Sequence, residues 1–239
     1  MKKILFIAML LSTLMIVAPT VNAQLFTIEN VTLDGQPVHA TANFDINYVD
    51  DTITITINNL IVNPKSIIQN VSGLGFALED NGIPITSAAS LSSSWAEDFR
   101  EVQSGGSYST YDASSGTGWE LANSIVFPFG TGYELYVLGT QPKPADNTLI
   151  GKPDGTTDLY NNANGSITNT AHNQFLYGPA IFNIDFSGSY DLEPENNIII
   201  SGVAWYFGTE PKEVVPETST IFFLGCALFG LGMLRRKFR

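Results

Sequence analysis

The stretch FDINYVDDTITITI, Phe44 to Ile57, alternates large apolar and polar residues on both sides of an acidic pair. A period of two puts alternate side chains on one face of a strand, so each half reads as a half-buried strand. A two-residue turn at Asp50 and Asp51 would set Tyr48 against Ile53, Ile46 against Ile55 and Phe44 against Ile57. Every large apolar side chain then lies on one face, and the threonines lie on the other.

Working outward, the same pattern recurs. Asn81-Gly82 predicts a second hairpin, because both residues tolerate the positive φ of a type I′ turn; Leu78 then pairs with Ile85, and Leu74, Phe76 and Leu78 form the buried face. Tyr133 to Leu138 and Phe182 to Phe186 read as further strands. Ile198 to Phe207 is apolar on both faces, as a central strand is, with Val203, Trp205 and Phe207 expected in the core. Turn residues punctuate the chain and no long helical period interrupts it, so the expected fold is all-β: a single antiparallel β-sandwich, jelly-roll-like, over residues 24–214. Two stretches rich in Ser, Gly, Pro, Asn and Asp, Ser104 to Gly118 and Gly139 to Asn173, are expected to be loops, the places where a binding site would draw its residues.

The two ends have a different composition. Lys2 and Lys3 precede an apolar run from Ile4 to Val17, and Val21 and Ala23 place small residues before a cut between Ala23 and Gln24. Residues 1–23 are therefore expected to be a secretory signal peptide. At the other end, residues 219–234 form an uncharged run of 16 residues, a short transmembrane helix of roughly 24 Å at 1.5 Å per residue. Arg235, Arg236, Lys237 and Arg239 follow and are held on the cytoplasmic side, which puts the preceding domain across the membrane. These ends carry six of the 11 basic residues, leaving five basic against all 23 acidic residues between them, a formal charge of −18. Such a domain has no general attraction for nucleic acid or anionic lipid. The one cysteine, Cys226, lies inside the apolar run, so the exported part must be held by its core and not by a disulfide.

Val215-Pro216-Glu217, a short glycine-containing apolar span and a terminal arginine cluster, in that order, resemble the PEP-CTERM sorting signal over Val215 to Arg239. The resemblance implies export by a Gram-negative bacterium, processing by an exosortase-type membrane enzyme, and association with exopolysaccharide and biofilm. It makes Val215, Pro216 and Glu217 the sorting motif and Arg235, Arg236, Lys237 and Arg239 the retention cluster. Thr218 stands where the family usually has a second proline. The segment from Leu149 to Phe182, with YNNANGSI and HNQF, is loosely similar to ectodomains that precede such a tail, a group with no established activity.

Little in the chain points to catalysis. His39 and His172 are the only histidines, and neither a zinc motif nor a GxSxG elbow is present. Asp50-Asp51 and Glu79-Asp80 are explained by turns, which leaves Glu97, Asp98 and Glu101 beside Trp95 as the acids an exported glycan-acting hydrolase would use. Asp154, Asp158, Asn162 and Asn164 offer oxygens for Ca2+, but without EF-hand spacing, and turns require the same residue types. Tyr108, Tyr111 and Trp119 could form a sugar platform in a carbohydrate-binding module. The expectation is a noncatalytic surface or matrix protein with no cofactor and no catalytic residue; hydrolase and carbohydrate-binding module are the alternatives.

Overall fold

The computed structural model describes residues 22–138, 144–193, 196–209 and 215–216. The expected signal-peptide core, the transmembrane run, Glu217 and the four basic residues of the retention cluster lie outside them. Among the described residues no helix is long and apolar enough to cross a membrane.

The described residues are all-β, and the named strands that follow pair antiparallel in their sheets. β1 (Asn22–Leu33), β2 (Gln36–Asn47) and β3 (Thr52–Asn59) form a meander, and a single 3-10 turn (Ile67–Gln69) leads into β4 (Val71–Asp80). β5 (Ile83–Ile85), β6 (Ser90–Trp95), β7 (Asp98–Val102) and β8 (Tyr108–Tyr111) follow. Then come β9 (Glu120–Phe127), β10 (Gly130–Tyr136), β11 (Phe175–Tyr177), β12 (Ala180–Asp185), β13 (Ile198–Phe207) and β14 (Val215–Pro216). One sheet has the order β1-β2-β3-β12-β6 and a second the order β14-β13-β4-β10-β9 with β5 beside β4, while β11-β7-β8 form a smaller third.

The β2–β3 hairpin forms, in a register shifted from the expected one. Phe44 pairs with Ile55, Ile46 with Ile53 and Ala42 with Ile57. The ladder stops at Asn47 and Thr52, so the loop holds four residues, not two. Asn47 is the cause: its Oδ1 accepts from the backbone N–H of Val49 at 2.9 Å and of Asp50 at 3.3 Å, and its Nδ2 donates to the Asp50 carboxylate. Asp51 closes the loop at φ 51°. The slip is two residues, a whole side-chain period, so the same residues still face the core. Phe44, Ile46, Ile53, Ile55 and Ile57 are buried, each contributing roughly 2 kcal/mol of transfer free energy.

That face meets the buried face of the second sheet in one core. Phe44 packs edge-on against Phe76 of β4 at 5.4 Å, Tyr133 of β10 meets Phe186 at 5.4 Å, and Leu74, Leu78, Val203, Trp205 and Phe207 join the same cluster. The Asn81-Gly82 turn has φ 49° and 81°, and Leu78 pairs with Ile85 as the sequence predicts. β13 spans Ile198–Phe207 as expected, but the strand with long partners on both sides is β4, between β13 and β10. The second apolar face of β13 is covered locally: Ala204 and Tyr206 pack with Phe127, whose ring lies over Gly75 and stacks on Phe129 at 5.0 Å. A Cβ at Gly75 would collide with the Phe127 ring.

Neither expected loop is loose. Ser104 to Gly118 contains β8, and the described part of the longer segment folds around its own core of Ala145, Ile150, Tyr160 and Ile167 with Ile67, Val102 and Phe175. The sequence there shows turn residues, while the scattered apolar residues that anchor it follow no regular period.

Candidate functional site

Four buried polar side chains hold the long segment to the sheets. Asn59 donates through Nδ2 to the carbonyls of Gln69 and Leu149, at 2.8 and 2.9 Å. Asn70 donates to Thr148 Oγ1, which donates in turn to the Ala145 carbonyl. Gln69 accepts through Oε1 from the N–H groups of Lys65 and Ser66, and donates through Nε2 to the Pro37 carbonyl. With Ser66 capping the N–H of Ile68, this is a capping box built on a single 3-10 turn. Two contacts from the long segment complete the frame: Asn164 N–H donates to the Lys65 carbonyl, and Ile67 N–H donates to Ser166 Oγ.

The framed turn forms one wall of a cleft of about 500 Å3, between the β1–β2 turn and the end of β13. Ile67, Ile68 and Phe207 supply its apolar lining, and Asp34, Gln36, Lys65 and Thr209 stand around it. Asp34 is at φ 46° in the two-residue Asp34-Gly35 turn. None of these four polar side chains makes a hydrogen bond or ion pair among the described residues, unlike Ser66, whose hydroxyl caps Ile68, and Asn164, whose Oδ1 accepts from Ser166. Sequence reading passes over this place. The Asp34-Gly35 dipeptide is a hairpin signal that could have located one wall, but Lys65 and Phe207 lie far apart in sequence and come to one cleft only because β13 pairs with β4, with Phe207 opposite Val71.

The residues singled out by sequence are mostly committed to structure. Arg100, a buried cation, donates through Nε to Asp98 at 3.1 Å and through Nη1 to the Tyr160 hydroxyl, and its guanidinium lies over the rings of Tyr177 and Tyr108. Burial pushes the Asp98 carboxyl above the usual carboxylate range, with Arg100 pulling against it. Glu101 accepts from the Tyr111 hydroxyl at 3.0 Å, and Glu97 packs on Gly178. Trp119 is no platform: it is buried against Phe182, and its Nε1 donates to the Asn147 carbonyl. Tyr108 stands edge-on to Tyr160, with its hydroxyl on Asp158. Trp95 and Tyr111 keep exposed rings.

Two of the four candidate calcium ligands, Asp154 and Asn164, are engaged in turns, and Asp158 accepts from the Tyr108 hydroxyl. Asp154 accepts from the N–H groups of Thr156 and Thr157, which lowers its pKa, and Asn164 accepts from Ser166. Among the described residues no three His, Cys, Asp or Glu side chains are grouped to hold a metal. His172 accepts through Nδ1 from the Ala145 N–H, and His39 lies 3.8 Å from Glu29.

Of the residues at the chain ends, Ala23 and Gln24 are part of β1, paired with Asp45 and Phe44. Gln24 also reaches β13, accepting through Oε1 from the Ile200 N–H at 3.0 Å. The backbone of Val215 and Pro216 forms β14, opposite Trp205 and Ala204.

Comparison of the chain with protein-family models, curated proteins and solved structures finds no match.

Proposed function

We propose that this chain is an exported, noncatalytic component of the cell surface or polysaccharide matrix of a Gram-negative bacterium. Its ectodomain is a jelly-roll-like antiparallel sandwich, delivered by a signal peptide ending at Ala23 and sorted by an exosortase-type enzyme acting on the C-terminal segment. One observation carries this reading: the order Val215-Pro216-Glu217, uncharged span, Arg235 to Arg239 at the chain's end. A cationic stop directly after an apolar run has an electrostatic use at a membrane. Two features of the ectodomain support it. Its acidic charge suits a soluble exported domain, and two of the three acids that would serve hydrolysis are engaged, Asp98 by Arg100 and Glu101 by Tyr111.

The test incubates the full-length protein with the producing strain's exopolysaccharide and follows both retention and new reducing ends. Retention without new ends is expected. New ends that disappear in Glu97→Gln or Asp98→Asn would replace this reading with a glycan hydrolase.

A further inference from the structure

The cleft beside the 3-10 turn combines three properties that suit a small ligand. Its wall is rigid, because Gln69 fixes the N–H groups of Lys65 and Ser66 and ties them to Pro37 of β2. Its polar groups are unspent: Asp34, Gln36, Lys65 and Thr209 all lack side-chain partners among the described residues. Its volume of about 500 Å3 falls within the roughly 300–1,000 Å3 typical of small-ligand sites.

Charge narrows the ligand. The basic side chains among the described residues are Lys65, Arg100 and Lys152. Arg100 is consumed by Asp98, Tyr160 and two rings, and Lys152 does not line the cleft, so Lys65 is the cation this cleft presents in a strongly acidic domain. It can hold one anionic group. Asp34 lines the same cleft without forming an ion pair with Lys65, and it disfavours a second negative charge while accepting hydrogen bonds from hydroxyls. Gln36 and Thr209 add donors and acceptors for further hydroxyls. Ile67, Ile68 and Phe207 offer apolar surface for the C–H face of a ring.

We propose that this cleft binds a monoanionic, polyhydroxylated sugar of the uronic acid class, as one residue of a polysaccharide. This deepens the matrix reading above and rests on it for the polymer. The carboxylate pairs with Lys65, the hydroxyls meet Asp34, Gln36 and Thr209, and the ring lies on the apolar lining. A phosphorylated sugar, with its larger negative charge, is disfavoured by Asp34.

The experiment titrates sodium glucuronate, glucose and glucose 6-phosphate into the full-length protein in mild detergent, followed by calorimetry. Glucuronate should bind more tightly than either other sugar. Lys65→Gln should weaken it about tenfold, the loss of one charge-assisted hydrogen bond, whereas Lys65→Arg and Lys152→Gln should hold it within roughly threefold. Asp34→Asn should raise the affinity for glucose 6-phosphate. Equal binding of glucose and glucuronate, no binding of glucuronate, or no loss in Lys65→Gln would overturn the site. Polymer retention that is unchanged in Lys65→Gln would sink the cleft and leave the matrix role standing. Glucuronate binding through Lys65 without polymer retention would support the cleft and sink the matrix role.

Discussion

At the scale of single residues, facing decides tolerance. Ile55 is fully buried between the sheets, while its neighbour Thr54 points outward and donates to Asn183 Oδ1 at 2.8 Å. Ile55→Asp places an unpaired carboxylate in the core, at a cost of several kcal/mol against a total stability of about 5–15, and should unfold the domain. Thr54→Asp loses one partly buried hydrogen bond, about 1 kcal/mol, and should fold. Urea denaturation compares them, and equal destabilisation would contradict the facing. Glu134 is a different case. It sits on the outer face of β10 opposite Gly75, half-buried and without a hydrogen-bond or ion-pair partner among the described residues, and burial alone raises its pKa above the ordinary 4.5. It also helps push the neighbouring Tyr206 hydroxyl, itself buried, up to about 12. A raised pKa means that the folded state favours the protonated acid. The stability this group contributes is therefore full below pH 4.5 and lost as pH rises through the folded value. Glu134→Gln stays neutral, so it should melt above the wild type at pH 7 and converge with it near pH 4. A melting difference that does not change with pH would rule out this account.

At the scale of elements, the 3-10 turn outweighs its three residues. Gln69 alone joins Lys65, Ser66 and Pro37, and without it two backbone N–H groups and a carbonyl lose their partners. Gln69→Ala should cost about 2–3 kcal/mol in a denaturant titration, since net hydrogen bonds are worth about 1 kcal/mol each and buried orphans cost more. A loss under 0.5 kcal/mol would mean that water replaces the amide and that the cleft wall is not rigid. The β2–β3 loop shows the same principle. The alternation from Phe44 to Ile57 was legible as a hairpin, but the register was not, because it depends on which side chain caps the turn. Asn47 took the turn that Asp50-Asp51 alone would have made shorter. The Asn81-Gly82 turn was legible outright, since its backbone conformation is local to those two residues.

At the scale of the whole molecule, the chain's ends carry the proposed destination and the sheets carry everything else. Replacing Arg235, Arg236, Lys237 and Arg239 with neutral residues should weaken membrane retention, measured by fractionation, and mass spectrometry of the surface-exposed protein should find the tail removed. Surface protein that still carries Ile221 to Arg239 would leave an anchored protein without processing. The all-β class, the antiparallel strands and the identity of the core faces followed from sequence alone, because period-two alternation is a local property and burial respects it. Three things were decided only by tertiary structure. Trp119, read as a candidate platform, is core because Phe182 comes from a distant strand to meet it. The stretch from Pro144 to Asn173 is packed because its scattered apolar residues find Ile67, Val102 and Phe175. The cleft exists because Asp34, Lys65 and Phe207 converge from three separate parts of the chain, and no local pattern encodes an encounter that the long-range pairing of β4 with β13 creates.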